Sequence, residues 1–155
     1  MKSFSKCKRS LLETRNLFNQ CFIFTFRLFD RANDQSLVRR QDYLSLFSYA
    51  VRTQTGFQVA QNYFRANYTL IRGNRLTDAQ MGTVAGYFAR YINTEEQKAD
   101  FQSFFANHPD TGVSVSSLNS ALETIDKNIE WLKTNRQNVY EWFLSYKNQV
   151  NRSEL

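Results

Sequence analysis

The stretch VSSLNSALETIDKNIEWLKTNRQNVYEWFLSY, Val115 to Tyr146, decides the fold. Leu118, Ala121, Leu122, Ile125, Ile129 and Leu132 recur at i, i+3, i+4 and i+7, which lays one apolar stripe along a helix. A polar interruption at Asn135 to Asn138 follows, and Val139, Trp142, Phe143 and Tyr146 restart the spacing. The expectation is two consecutive helices, each burying a stripe. Such a pair points to a helical-repeat or bundle module rather than to a centre of chemistry.

The same period runs upstream. Segment 37–53, LVRRQDYLSLFSYAVRT, places Leu37, Tyr43, Leu44, Phe47, Ala50 and Val51 on one side of a helix. Gly56 reads as a break, and 57–71, FQVAQNYFRANYTLI, forms the next helix on Phe57, Ala60, Phe64 and Ile71. Gly73-Asn74 then closes it, because both residues tolerate the left-handed conformation. Thr77 with Gln80 fits a capping box, in which each side chain satisfies an orphan N–H of a helix carrying Met81, Val84, Ala85, Phe88 and Ile92. Thr94 with Gln97 repeats the device ahead of EEQKADFQSFFANH, where Glu95 and Glu96 suit the positive end of the helix dipole. Asn107-His108-Pro109-Asp110 and Gly112 make the following loop.

About six helices after residue 35 result, joined by short links that favour antiparallel neighbours. The fold class is all-α, best described as part of a HEAT-like superhelix of antiparallel helical hairpins, an α-solenoid. Five Gly and one Pro in 155 residues leave little punctuation for a many-stranded sheet. A hydrophobic share of 42% rules against a disordered chain, and the length suits one domain with a real core.

The net charge of +6 would ordinarily suggest nucleic acid as a partner. Its placement argues otherwise. Residues 1–40 hold nine Lys/Arg against three acids, while residues 41–155 hold eleven of each. The folded body is therefore neutral, and no nucleic acid is expected, since phosphate-driven affinity needs clustered cations. Cys7 and Cys21 are the only thiols and read as unpaired. The start, MKSFSKCKRS, is basic, and LFNQCFIFTFRLF (17–29) is apolar, an order that mimics a signal or anchor. Asn19, Gln20 and Arg27 interrupt the run, which falls well short of the roughly 20 apolar residues of a membrane span.

Candidate chemistry is sparse. His108 is the single histidine, so two histidines one helical turn apart, as a zinc peptidase of the HExxH type requires, cannot be built. His108 precedes Pro109 at a helix end and reads as a turn or C-cap residue. Glu123, Asp126 and Glu130 share a helix face with Lys127 and Lys133 nearby, the pattern of a solvated surface. No catalytic residue and no metal ligand is assigned. Arg39, Arg40 and Arg52 lie on one predicted helix, and arginine suits a carboxylate because its planar fork pairs bidentately. Asn67-Tyr68-Thr69 and Asn151-Arg152-Ser153 are glycosylation sequons, which fit a chain of the secretory pathway.

Residues 36–147 resemble the C-terminal domain of zinc aminopeptidases of the aminopeptidase N and endoplasmic-reticulum aminopeptidase type. Four pieces match in the family's order. Val38, Arg39, Gln41 and Asp42 fall in an "(I/V)R-x-QD" pattern. Arg52 precedes Gly56 by four residues, ahead of FQVAQNYFRANYTLI. TEEQKADFQSFFANHP follows a "STxxxLxxVxxFFxxHP" pattern, and ALETIDKNIEWLKTNRQNVYEWF an "AxExIxxNIxWLxxNxxxVxxWL" pattern. Thr53-Gln54-Thr55 lacks the "NP" common in the family, and Gln61 stands where a tryptophan is common.

The resemblance implies a non-catalytic module, residues 34–150, that caps the active site and lines the peptide chamber of a longer enzyme. It implies that Arg52 meets the peptide's C-terminal carboxylate, with Arg39 and Arg40 as further chamber-facing candidates. The zinc and the exopeptidase loop belong to domains outside these residues, so no cofactor is expected here and no activity of the chain by itself. Partners would be the peptide substrate and the parent enzyme's catalytic domain, with a homodimer as a further option and no membrane contact by this domain. The location implied is the secretory pathway, as an ectodomain or lumenal protein. Residues 1–33 depart from the pattern and read as a truncation point or an incorrectly joined start, and 151–155 as a tail. The alternative reading is an autonomous helical-repeat module, derived from that family, that binds peptides or proteins.

Overall fold

The computed structural model describes residues 26–153. Cys7, Cys21, the basic start and most of the 17–29 run lie outside the described residues. Within them the chain is all-α, with no strand. A helical stretch over 26–32 (α1) precedes α2 (Arg40–Ala50), α3 (Gln54–Asn74), α4 (Asp78–Ala89) and α5 (Glu95–Asn107). A 3-10 turn, Pro109–Thr111, leads to α6, Val115–Ser153.

Helix α4 is the centre, packed by α2, α3 and α6. Its sequence explains that position, because Met81, Gly82, Val84, Ala85, Phe88 and Ala89 leave it apolar on most sides. Buried rings interlock around Phe47, whose centroid lies 4.8 Å from Phe29, 6.1 Å from Phe64 and 6.2 Å from Phe88. Each fully buried ring of this kind contributes about 1.5–3 kcal/mol. Phe29 and Ala32 are fully buried, so α1 shares the core of the helices that follow.

Cross-helix contacts give the directions. Phe57 near Phe88 and Tyr91, with Arg72 bonded to Asp78, makes α3 and α4 an antiparallel pair. Lys98 on Asp126 at 2.5 Å and Lys133 on Glu95 at 3.2 Å do the same for α5 and α6. Helices α4 and α6 run parallel: a Cβ on Gly82 would come within 2.6 Å of Ser117 Oγ, and Asn128 reaches Ala89. Likewise α3 and α5 run parallel, tied by Arg65 to Asp100 at 2.6 Å and by Tyr68 beside Phe104 and His108.

Three sequence expectations change. The tail is one 39-residue helix instead of two. A polar run without Pro or Gly lacks the means to stop a helix; Asn135 instead bonds the Trp131 carbonyl at 2.9 Å, and Gln137 bonds Glu141 at 2.8 Å, one turn along. The second stripe is not buried either: Val139, Trp142, Phe143 and Tyr146 are 39–59% exposed.

Gly56 lies inside the first turn of α3, and the break sits at Val51 to Thr53. Thr53 is the cap, its hydroxyl accepting from the Gly56 N–H at 3.1 Å. A Cβ on Gly56 would collide with the Ala50 carbonyl, so glycine permits the helix ends to meet. Finally, Asn74 is still helical and α3 closes through a right-handed Arg75; among the described residues only Gly112 has positive φ, at 79°. Both threonines cap their helices, but the full reciprocal box forms only at Thr77 and Gln80; at Thr94 the Gln97 side chain accepts from the Asn93 N–H instead of the Thr94 N–H.

Candidate functional site

The turn from α2 to α3 carries Arg52 to the rim of a cleft of about 420 Å³. Val51 caps α2, Thr53 caps α3, and Arg52 between them is left with its side chain free to project. Its guanidinium lies 4.6 Å from the centre of the Tyr49 ring. Among the described residues it makes no ion pair. Gln54, Gln58 and Gln61 line one wall, at i, i+4 and i+7 on α3. Asn93 and Gln97 line the other, and Phe57 with Tyr91, 6.1 Å apart, supply the apolar surface.

The far wall is held by hydrogen bonds. The Gln97 N–H donates to Thr94 Oγ1 at 3.2 Å, and Gln97 Oε1 accepts from the Asn93 N–H at 3.1 Å. The cleft thus contains one guanidinium, five carboxamides and no carboxylate. Chemically, it can accept an anion at one end and pair peptide N–H and C=O groups along its sides, since a carboxamide both donates and accepts. It holds no nucleophile–base pair.

The other candidates fall elsewhere. Arg39 and Arg40 stand at the opposite end of α2, which is about 16 Å long at 1.5 Å per residue. Arg39 is engaged with Asp42 at 2.8 Å. The expectation that they share one helix with Arg52 is corrected: Arg39 precedes α2, Arg40 opens it, and Arg52 lies beyond its last residue. His108 caps α5, its ring Nδ1 2.8 Å from the Phe104 carbonyl and its plane stacked on Phe104. Asp126 pairs with Lys98, and Glu130 accepts from Thr134, so the acidic face is a solvated, cross-linked surface. Asn67 sits in mid-helix with its amide nitrogen bonded to the Tyr63 carbonyl at 3.0 Å, and Asn151 falls within the last turn of α6. Among the described residues no group of three or more His, Cys, Asp or Glu could hold a metal, so no zinc site fits there. No helix among them is long and apolar enough to cross a membrane.

Sequence reasoning missed the carboxamide walls, Tyr91 and Asn93. The signal available was Gln54, Gln58 and Gln61 at one helical face, yet that spacing is equally that of an ordinary wet surface. Only the fold sets them against α5.

Among the described residues the body is all-helical and presents a polar cleft with a single guanidinium. The model of the ERAP1-like C-terminal domain matches residues 13–127, and the chain belongs to that family. It is 32% identical over 120 residues to glutamyl aminopeptidase of Rattus norvegicus, covering 77% of this chain and 13% of that protein. Glutamyl aminopeptidase of Bitis rhinoceros is 34% identical over 108 residues, 69% of this chain and 11% of its own length. Endoplasmic reticulum aminopeptidase 2 of Bos taurus is 23% identical over 120 residues, again 77% and 13%. The chain thus spans about an eighth of the length of the curated relatives it matches. The match begins upstream of residue 34, in keeping with the buried Phe29 and Ala32.

Proposed function

We propose that the chain serves as a non-catalytic C-terminal module of an aminopeptidase N-like zinc metallopeptidase. In that role it caps the active site and lines the peptide chamber, while zinc and the catalytic groups reside in the partner catalytic domain. The HEAT-like superhelix, an extent that begins upstream of residue 34 and ends near residue 150, secretory-pathway location and glycosylation at Asn67 or Asn151 belong to the same proposal. The observation that carries it is the Arg52 cleft. Its one guanidinium without an acidic partner and its walls of carboxamides suit the C-terminal carboxylate and last peptide bonds of a substrate. Arg39 and Arg40, one helix length away, serve a separate part of the chamber wall.

The exposed aromatic face of α6 supports a module that another body covers, and a homodimer through that face is the second arrangement proposed. The alternative of an autonomous peptide-binding module draws on the same cleft and differs in needing no catalytic domain.

The test is made in a full-length enzyme carrying this domain. A charge-assisted hydrogen bond contributes about 1.5–3 kcal/mol, so Arg52→Ala should raise KM for peptides with a free C-terminus by roughly 10- to 150-fold. Peptides ending in an amide should be unaffected. Equal KM for the variant and the parent on free-carboxylate peptides would remove Arg52 from the substrate path.

A further inference from the structure

The turn joining α4 to α5 lines two clefts at once. Tyr91 and Asn93 border the Arg52 cleft, while Arg90 and Asn93 border a second of about 210 Å³, completed by Asn128, Trp131 and Leu132. Asn93 belongs to both, so the two clefts adjoin at that residue.

The turn is pinned. Asn128 Nδ2 donates to the carbonyls of Ala89, Arg90 and Ile92, at 3.1, 3.3 and 3.0 Å. A single carboxamide on α6 therefore fixes the backbone that presents Arg90 and Asn93. Such preorganisation lowers the ordering cost of binding. The Arg90 guanidinium lies 5.5 Å from the centre of the Tyr87 ring and makes no ion pair among the described residues. Trp131, which lines the same small cleft as Arg90, presents an indole that is 56% exposed. Among the described residues no carboxylate lines either cleft.

A planar cation and an open indole that line one cleft can together accommodate a carboxylate carried on a short hydrocarbon stem. The stem lies on the ring and the carboxylate meets the fork. We propose that the Arg90–Trp131 end binds an acidic side chain of the same peptide whose C-terminal carboxylate meets Arg52. The proposal rests on the Arg52 reading for the peptide's direction, and it adds a side-chain preference to it. The groove selects peptides with an anion at two points, the chain end and an internal Glu or Asp.

The test uses the whole chain and a fluorescein-labelled, alanine-based nonapeptide. One Glu is moved through each internal position, with a Gln twin for every peptide and both acid and amide C-termini, and binding is read by anisotropy. At one position Glu should bind about tenfold tighter than Gln, and Arg90→Gln should reduce that ratio to about twofold or less while keeping the acid-over-amide preference. Arg52→Gln should do the reverse. Arg90 is exposed, so its replacement leaves the fold in place, which far-ultraviolet circular dichroism checks. Equal binding of Glu and Gln at every position, or a ratio that survives Arg90→Gln, overturns the second subsite. Loss of the acid-over-amide preference in the parent chain overturns the Arg52 reading instead.

Discussion

Arg75 is the most unusual single residue, a guanidinium fully buried at the α3–α4 junction. It donates to the Val38 carbonyl at 2.6 Å and lies 4.6 Å from the centre of the Tyr43 ring, but Nε and Nη1 have no partner among the described residues. Burying unsatisfied donors is costly, and replacing a buried charge by an apolar side chain of similar shape is often neutral. Arg75→Met should therefore stay within about 1 kcal/mol of the parent in urea unfolding, whereas Arg75→Ala should lose about 2–4 kcal/mol to the cavity. Nearby, burial pushes the Tyr43 and Tyr63 hydroxyls up, while Asn33 bonds both and ties the α1–α2 connection to α3. At the other end of α3, paired hydrogen bonds from Arg72 hold the Asp78 carboxyl below its ordinary 3.8. A depressed carboxylate stabilises the fold above its unfolded value and loses that contribution as pH falls through the folded one. Thermal melts from pH 7 to pH 2 should show Asp78→Asn losing less Tm below about pH 4 than the parent does. Identical acid limbs would assign the pair no role in stability.

Among the elements, α6 behaves as two halves of one helix. Its first half is buried through Ala121, Ile125 and Ile129 against the body, and Lys133 with Glu95 marks the last tie to α5. Beyond that point roughly 20 residues, about 30 Å, run past the packed body. Helices gain most of their stability from packing an apolar face, so the two halves should open with different free energies. Hydrogen exchange at Val139 to Lys147 should run at least about a hundredfold faster than at Ala121 to Ile129. Uniform protection along α6 would show that something covers the second half. The stripe itself was legible in the sequence because periodicity depends only on residue type and spacing. Whether it is covered was not, because coverage depends on where neighbouring helices end.

At the scale of the whole molecule, α4 packs against α2, α3 and α6, and α5 against α6. This places the α2–α3 turn, the α4–α5 turn and the middle of α6 together, where the groove lies. The same arrangement leaves Trp142 stacked on Tyr146, 5.6 Å between centroids, with Phe143 beside them, all open to solvent. An exposed apolar patch of this kind marks an interaction surface. The isolated chain should self-associate with rising concentration in sedimentation velocity, and Trp142→Glu with Phe143→Glu should restore a monomer without loss of helix. Association that persists in the double variant would place the contact elsewhere.

The sequence by itself determined the helices, their threonine caps, the neutral body and the membership in an aminopeptidase domain family. Those rest on local spacing and on residues read in order. It also singled out Arg52, though as one arginine of three. Only the tertiary structure decided that Arg39 and Arg40 stand a helix length away and that Gly56 lets two helix ends touch. Only the fold set Arg52 on one cleft with Asn93 and Gln97, and Arg90 on one cleft with Trp131. The physical reason is that a groove is made by residues distant in sequence, from 52 to 132, whose approach is set by how the buried rings of Phe47, Phe64 and Phe88 pack. The tail follows the same division: its pattern fixed one face of a helix, and the packed body covers that face only as far as its own helices reach.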